Sequence, residues 1–295
     1  MTGAYATRMS AFNPAETAAC RALVALALAE DLGDAGDRTS ASLIPAEQPG
    51  RAAFVARTAG VAAGLPAAAL VCAAVDPALA FTPVLADGTR LARGDVLATV
   101  AGPLRSVLAA ERTALNFLQR LSGVASLTRR YVDAVAGTHA AVLDTRKTAP
   151  GWRLLEKYAV RAGGGTNHRV GLYDGVLIKD NHLAGLGGDV RRAVELARAA
   201  NAGLPIEVEV DTMEQLEHAL AAKADIVLLD NMPPGVMRTA VARRDAVSPG
   251  TRLEASGGIT LDTIAAAAAT GVDRISVGAL THSAPALDIA LDYQS

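Results

Sequence analysis

The sequence predicts an α/β fold, on three observations. From about residue 138 onward, apolar runs alternate with helical patterns. The runs are near-continuously hydrophobic, the pattern of parallel strands covered by helices rather than of half-solvated ones. Nearly every run also ends at its C-terminal side in reactive polar residues, where an α/β barrel gathers its chemistry. A doubly wound open sheet would instead concentrate such residues near one switch point. Six runs are clear, at 140–143, 175–178, 206–210, 226–229, 253–255 and 275–279, so a complete eight-stranded barrel is not supported.

Residues 1–100 have a different texture. A helical run at 20–31 ends in the turn-rich stretch 32–40, and alternating pieces follow at 51–57, 80–85 and 95–100, separated by Ala86-Asp87-Gly88 and Ala101-Gly102-Pro103. That is a small sheet with helices, an α+β layer. From Leu104 a long helical pattern runs through Leu108, Leu115, Leu118 and Leu121, and Gly123 is expected to break it before a second helix at 127–136. Thr212 and Gln215 have capping-box spacing, opening a helix through Leu220. Thr260 opens another over 261–270, which Gly271 closes in the left-handed conformation.

Composition excludes several function classes. The 295 residues carry 28 Lys+Arg against 30 Asp+Glu, net −2, so no whole-molecule field recruits nucleic acid or an anionic membrane. Aromatics at 3% are too few for a base-stacking platform, and 51% hydrophobic residues fill a core rather than a disordered chain. Cys20 and Cys72 form no disulfide or zinc pattern, which points to a reducing compartment. The first thirty residues lack the apolar segment of a signal peptide. The uncharged stretch 58–75 is broken by Gly60, Gly64 and Pro66, which argues against a membrane span. A soluble, cytoplasmic protein is expected.

The chemistry-bearing residues fall into three groups. Residues 144–179 hold seven Arg/Lys against three acids, a local charge of +4 in an otherwise acidic chain. Arg153, Lys157 and Arg161, at near-helical spacing, read as a solvated helix face. Arg146, Lys147 and Lys179 fall at strand ends and read as an anion site, with His168, Arg169 and His182 beside them. His139 and His218 read as structural or surface residues. The second group is acidic: Glu207, Glu209 and Asp211 alternate on one side of a strand, and Asp230 ends the next. Carboxylates from neighbouring strands suit magnesium, which keeps waters and also touches phosphate; neutralisation by the basic cluster alone is the alternative. The third group is Ser256-Gly257-Gly258 and Ser276-Val277-Gly278, either plain turns or a phosphate site of backbone N–H groups. Gly163-Gly164-Gly165 reads as a flexible loop bringing His168 and Arg169 to a ligand.

Taken together, Asp144-Thr-Arg-Lys-Thr-Ala-Pro-Gly151, Leu155-Glu-Lys-Tyr-Ala-Val160, Gly163-Gly-Gly-Thr-Asn-His-Arg169 and Leu177-Ile-Lys-Asp-Asn-His182 closely resemble the quinolinate phosphoribosyltransferase family. Supporting stretches are Glu30-Asp-Leu-Gly33, Gly36-Asp-Arg-Thr-Ser40, Glu111-Arg-Thr-Ala-Leu-Asn116, Glu254-Ala-Ser-Gly-Gly258 and Ser276-Val-Gly-Ala-Leu-Thr-His282. The resemblance extends from about residue 30 to the C-terminus. It implies an N-terminal α+β open-sandwich domain, 1–123 completed by 281–295, and a partly open α/β barrel over 124–280. It implies that quinolinate and phosphoribosyl pyrophosphate give nicotinate mononucleotide, pyrophosphate and carbon dioxide, with magnesium, in NAD biosynthesis. By position, Arg146, His168, Arg169 and Lys179 would hold quinolinate, with Arg112 lent by the partner of a homodimer or higher oligomer with shared sites. Lys147, Glu209 and Asp230 would serve pyrophosphate and metal, and Ser256, Gly257, Gly258 and Gly278 the 5-phosphate; Lys147, Lys179, Glu209 and Asp230 would be the catalytic group. Ala149 and Trp152 depart from the family pattern, which bears on local packing.

The rivals are a molybdenum-transport-associated homologue of the same fold, a Schiff-base aldolase acting through Lys179, and a non-catalytic phosphosugar-binding module. Leu177-Ile-Lys-Asp-Asn-His182 favours the transferase over the first. The second explains neither the acidic pair nor Ser256-Gly257-Gly258. The third should tolerate loss of ionic residues that are all present.

Overall fold

Asn13 opens the first helix reciprocally, accepting the Glu16 N–H at 2.9 Å while the Glu16 carboxylate accepts the Asn13 N–H at 2.9 Å. With Pro14 in the first turn, this fixes where α1 (Pro14–Leu32) begins. The computed structural model describes residues 11–294. The expectation that no leader occupies the N-terminus falls partly on residues 1–10, outside the described residues.

In chain order α1 is followed by α2 (Arg38–Leu43), β1 (Pro49–Ala56), β2 (Gly60–Val61), α3 (Leu65–Val75), β3 (Ala80–Pro83), β4 (Arg90–Leu91), β5 (Val96–Pro103) and α4 (Leu104–Ala134). Next come β6 (Ala141–Leu143), α5 (Arg153–Ala162), β7 (Val176–Ile178), α6 (Asp180–Ala184), α7 (Val190–Ala200), β8 (Ile206–Val210), α8 (Met213–Ala221) and β9 (Ile226–Asp230). The chain closes with α9 (Pro234–Val247), β10 (Arg252–Ser256), α10 (Ile264–Ala268), β11 (Arg274–Ser276), α11 (Ala279–His282) and β12 (Ile289–Tyr293). Two compact units result: residues up to Arg129 with Thr148–Gly164 and the segment from Leu280, and Arg130–Lys147 with Gly165–Ala279.

The first unit is built on an antiparallel sheet of order β12-β1-β5-β3. The last strand of the chain pairs with β1, Phe54 opposite Leu291, so the C-terminus completes a sheet begun some 240 residues earlier. The sequence reading assigned 148–164 to the barrel, but α5 packs in this first unit. Three polar anchors on α5 explain it. The buried Glu156 accepts from Arg120 Nε at 3.1 Å, the Tyr158 hydroxyl donates to Asp87 Oδ2 at 2.6 Å, and Arg161 pairs with Glu16 of α1. The expected solvated face of Arg153, Lys157 and Arg161 is therefore not formed; Lys157 is only 1% exposed. Asp87 also accepts the N–H groups of Gly64 and Leu65, holding the start of α3, and burial raises its pKa against those hydrogen bonds. Trp152 stacks on Phe117 with ring centroids 4.8 Å apart.

Gly123 does not break α4, which runs unbroken for 31 residues. Its glycine has a packing reason instead. A Cβ there would collide with the Pro285 carbonyl oxygen and lie 3.0 Å from the carbonyl carbon. The C-terminal segment thus crosses α4 against bare backbone.

The second unit is a six-stranded sheet of order β6-β11-β10-β9-β8-β7, all its pairs parallel, a partly open α/β barrel. Val208, Val210, Val227, Leu229, Leu253, Ala255 and Ile275 are buried, as helix-covered strands require. The free edge of β6 takes one bridge from Thr166, whose N–H reaches the Val142 carbonyl at 2.8 Å. The last apolar run is shorter than expected: β11 stops at Ser276 and α11 starts at Ala279. The helix expected at 261–270 narrows to α10, whose C-cap is Ala269 rather than Gly271; Gly271 follows two residues later at φ 90°. Among the described residues no helix is long and apolar enough to cross a membrane; the 58–75 stretch forms β2 and α3. Both cysteines are buried, and burial pushes their thiols up, to about 12 for Cys20 and about 11 for Cys72.

Helix propensity alone would make Gly123→Ala stabilising by about 1 kcal/mol. The collision with Pro285 reverses the sign. The variant should unfold at lower denaturant than the parent, and an equal or higher midpoint would show that the C-terminal segment does not need this close approach.

Candidate active site

The site begins with a buried carboxylate. Asp144, just beyond β6, is fully buried; it accepts the His168 N–H at 2.8 Å and the Asn167 side-chain amide at 2.6 Å. These bonds tie the 165–169 segment beside β6, so that Arg146 and Lys147 from one segment share a cleft with His168 and Arg169 from the other. The first glycine of the triglycine run is closely packed: a Cβ on Gly163 would lie 2.5 Å from the Ala125 carbonyl oxygen and 2.6 Å from Thr128 Cβ.

The cleft, of about 520 Å³, is lined by Thr145, Arg146, Lys147, His168, Arg169, Leu177, Lys179, Glu209, Leu228, Asp230, Asn231, Glu254, Ser256, Gly257, Gly258 and Ser276. Ten of the sequence-predicted residues are brought together here. Two are not: Gly278 lies beyond β11 outside the lining, and Arg112 is an exposed residue of α4 in the first unit. His182 is also absent from the lining; its Nδ1 accepts the Lys179 N–H at 2.9 Å. His139 is exposed, 3.7 Å from Asp273.

The basic side is held under tension. Arg169 donates Nη1–H to the Gly175 carbonyl at 3.1 Å, and Asp174 accepts the N–H groups of Val170 and Gly171. Burial and then the neighbouring Arg146 charge lower the Arg169 pKa. Two guanidinium groups that repel in a shared cleft are relieved by an anion bound between them. Lys179 Nζ lies 2.9 Å from Glu209 Oε2, with Lys179 about half exposed. An ammonium has three donors, so this pairing leaves capacity for a second acceptor.

The three carboxylates of β8 and its end, expected on one face, separate by depth. Asp211 is exposed, Glu209 lines the cleft, and Glu207 is buried under it. Glu207 Oε2 lies 3.0 Å from His168 Nε2, Glu254 Oε1 lies 3.6 Å from the same nitrogen, and Arg274 Nε is 2.8 Å from Glu254 Oε2. Glu207 was read only as one of three carboxylates on its strand, and Glu254 and Arg274 were not singled out for this site; their signal was position alone, on strands β8, β10 and β11. Both nitrogens of His168 are engaged, since Nδ1 accepts the Arg169 N–H at 2.8 Å. Burial opposes protonation of the ring, yet the hydrogen bond and charge of Glu207, with Glu254, outweigh it and raise the His168 pKa. With the Arg169 N–H aimed at Nδ1, the neutral ring carries its hydrogen on Nε2, facing Glu207. His168 therefore props the Arg169 backbone from beneath. The ligating atoms of His168, Glu207 and Glu254 lie within 4.8 Å of one another, but Arg274 already supplies the cation there.

Asp230 ends β9 with its Oδ2 accepting from Asn231 Nδ2 at 2.8 Å. Beside it, Gly257 and Gly258 end β10 at φ 90° and 61°, presenting consecutive backbone N–H groups after Ser256. Glu209 and Asp230 offer only oxygen donors, from adjacent strands and into one cleft, a donor set that fits a hard divalent ion retaining waters.

Burial, then the Glu207 charge, pushes the Glu254 pKa up to about 7 against the pull of His168 and Arg274. A raised carboxyl pKa means that the folded protein binds more protons between roughly pH 4.5 and 7, so this group's stabilisation is present at low pH and lost as pH rises through 7. Glu254→Gln removes that titration. The Tm difference, variant minus parent, should grow from pH 5 to pH 8, and a constant difference would refute the buried-acid assignment.

Models of the quinolinate phosphoribosyl transferase N-terminal and C-terminal domains match residues 37–122 and 124–292. The chain is 48% identical over 276 residues to a carboxylating nicotinate-nucleotide pyrophosphorylase of Mycobacterium leprae, covering 93% of this chain and 97% of that one. It is 40% identical over 287 residues to a decarboxylating quinolinate phosphoribosyltransferase of Nicotiana tabacum, covering 92% and 81%. The solved nicotinate-nucleotide pyrophosphorylase of Francisella tularensis superposes with a TM-score of 0.88 at 38% identity, over 94% of this chain and 97% of that one.

Proposed function

The chain belongs to the quinolinate phosphoribosyltransferase family, and we propose that its barrel cleft carries that family's reaction with the residues assigned below. The enzyme is a pentosyltransferase of NAD biosynthesis: quinolinate and phosphoribosyl pyrophosphate give nicotinate mononucleotide, pyrophosphate and carbon dioxide. One observation carries the assignment of residues. Four cations, Arg146, Lys147, Arg169 and Lys179, share one cleft with the paired acids Glu209 and Asp230 and the Ser256-Gly257-Gly258 backbone.

Quinolinate has two adjacent carboxylates, and transfer of a dianion from water costs too much unless each meets charged donors. Arg146 and Arg169 present planar forks to them, and Lys179 a compact third charge. Lys147 faces the departing pyrophosphate, and the N–H groups at Gly257 and Gly258, with Gly278, take the 5-phosphate. So held, the pyridine nitrogen forms the bond to the ribose carbon as the carbon–pyrophosphate bond breaks. The 2-carboxylate then leaves as carbon dioxide, its electron pair stays on the ring carbon, and a proton is taken up there. Magnesium, held by Glu209 and Asp230, would supply Lewis-acid stabilisation of the pyrophosphate charge. His168 keeps Arg169 in place through the backbone rather than meeting quinolinate through its ring nitrogens. The Glu209–Lys179 ion pair argues against Lys179 as a Schiff-base nucleophile.

Arg112, exposed on α4, fits the role of a cation lent to the cleft of a second chain in a homodimer or a higher oligomer. Cytoplasmic action suits the two buried thiols, although relatives in plants are chloroplastic or mitochondrial. Mixing Arg112→Ala with Lys179→Ala chains should restore one intact site per heterodimer and part of the activity. No recovery after verified subunit exchange would place Arg112 in service of its own chain.

Nicotinate lacks the 2-carboxylate and leaves part of the basic cluster unpaired. A charged hydrogen bond contributes about 1.5–3 kcal/mol, so losing two costs roughly 3–6 kcal/mol, on the order of a hundredfold to ten-thousandfold in kcat/KM. Carbon dioxide release from quinolinate should require phosphoribosyl pyrophosphate, and Arg146→Lys should lose more than its conserved charge suggests. Comparable kcat/KM for quinolinate and nicotinate would overturn this assignment of the cluster.

A further inference from the structure

Among the described residues only Lys223 and Asn231 adopt positive φ without being glycine. Asn231, at φ 53°, sits directly after Asp230 and lines the cleft. Three contacts fix it there. Its side-chain amide donates to Asp230 Oδ2 at 2.8 Å, its backbone N–H donates to the Ser256 carbonyl at 2.9 Å, and its side chain fills the space that a Cβ on Gly257 would need, Cγ being 2.5 Å from that position. One residue thus touches both the carboxylate ending β9 and the glycine loop ending β10.

We propose that Asn231 is a positioning residue that sets the Asp230 carboxylate and the Ser256-Gly257-Gly258 loop in fixed register, so that the two ends of phosphoribosyl pyrophosphate are received together; the role rests on the placement of that substrate given above. The residue type follows from the geometry. The left-handed backbone admits Asn, Asp or Gly with little strain. Asp would set a second carboxylate against Asp230, and Gly would supply no amide. Asparagine alone of the three keeps the backbone and donates to the carboxylate. Among the described residues, the bond from the Asn231 amide is the side-chain hydrogen bond on the half-buried Asp230 carboxylate, and it orients that group.

Titration calorimetry without quinolinate separates positioning from turnover. Phosphoribosyl pyrophosphate with magnesium is titrated into the parent, Asn231→Gly, Asp230→Ala and the double variant. Asn231→Gly keeps the backbone conformation and should melt near the parent temperature, yet bind about tenfold or more weakly. In the Asp230→Ala background the same substitution should cost less than in the parent, because its partner is gone. In steady state the KM for phosphoribosyl pyrophosphate should rise while that for quinolinate stays within twofold. Asn231→Asp should bind at least as weakly as Asn231→Gly. Affinity of Asn231→Gly within twofold of the parent, with binding still dependent on Asp230, would overturn the role of Asn231 alone. Binding unchanged in Asp230→Ala would overturn the placement of Asp230 and the role of Asn231 with it.

Discussion

Like charges crowded into one cleft repel, and the second unit is organised around keeping them there. Arg146 and Lys147 come from one segment, and Arg169 and Lys179 from two others further along the chain, yet all four line one cleft. The opposing charge is supplied by the strands themselves. Glu209 pairs with Lys179 at the cleft surface, while Glu207 and Glu254 lie beneath with His168 and Arg274. Burying carboxylates is costly unless each finds a cation or a proton. Glu254 takes the second course in part, its pKa being pushed up by burial to about 7. The cluster under the cleft is therefore a charge-balanced floor on which surplus positive charge can be displayed.

The same constraint explains how the loops are tied. Asp144 is fully buried at the end of β6 and accepts from the His168 N–H and the Asn167 amide, which fixes the loop carrying Arg169. His168 continues the pattern, accepting the Arg169 N–H and meeting Glu207 with its other nitrogen. Arg169 is thus positioned by neutral groups, the His168 ring behind its N–H and the Gly175 carbonyl at its guanidinium.

Sequence revealed the strands and the signs of their ends because both are local. Strands of continuous apolar residues bury whatever their partners, and β8 was read at its observed bounds, 206–210. What periodicity could not reveal was contact through space. Lys157 looked like a surface charge from its spacing, but the other polar groups of α5, Glu156, Tyr158 and Arg161, had partners waiting on α4, between β3 and β4, and on α1. Gly123 looked like a helix breaker because a glycine costs helix stability, whereas its use here is the absence of a side chain against Pro285. Glu207, Glu254 and Arg274 meet only when three strands are side by side, and Asn231 has no signal beyond its place after Asp230. Recognition of the long central motifs reached the family directly, but the hydrogen bonds of His168 to the Arg169 N–H and to Glu207 could not be read from them.

The order of strands gives the site its polarity. Along the sheet β6-β11-β10-β9-β8-β7, the two edge strands carry the cations, Arg146 and Lys147 after β6 and Lys179 after β7. Between them lie the glycine loop of β10 and then the acids of β9 and β8. Backbone donors therefore stand nearer one edge and carboxylates nearer the other, while cations guard both. In a barrel that does not close, the edges are where no backbone hydrogen bond joins neighbouring strands. A dianion meeting Arg146 from one edge and Lys179 from the other would join them through ionic hydrogen bonds instead. The cationic cluster thus draws on both edges of the sheet, and an anion bound among these groups would relieve the repulsion between them.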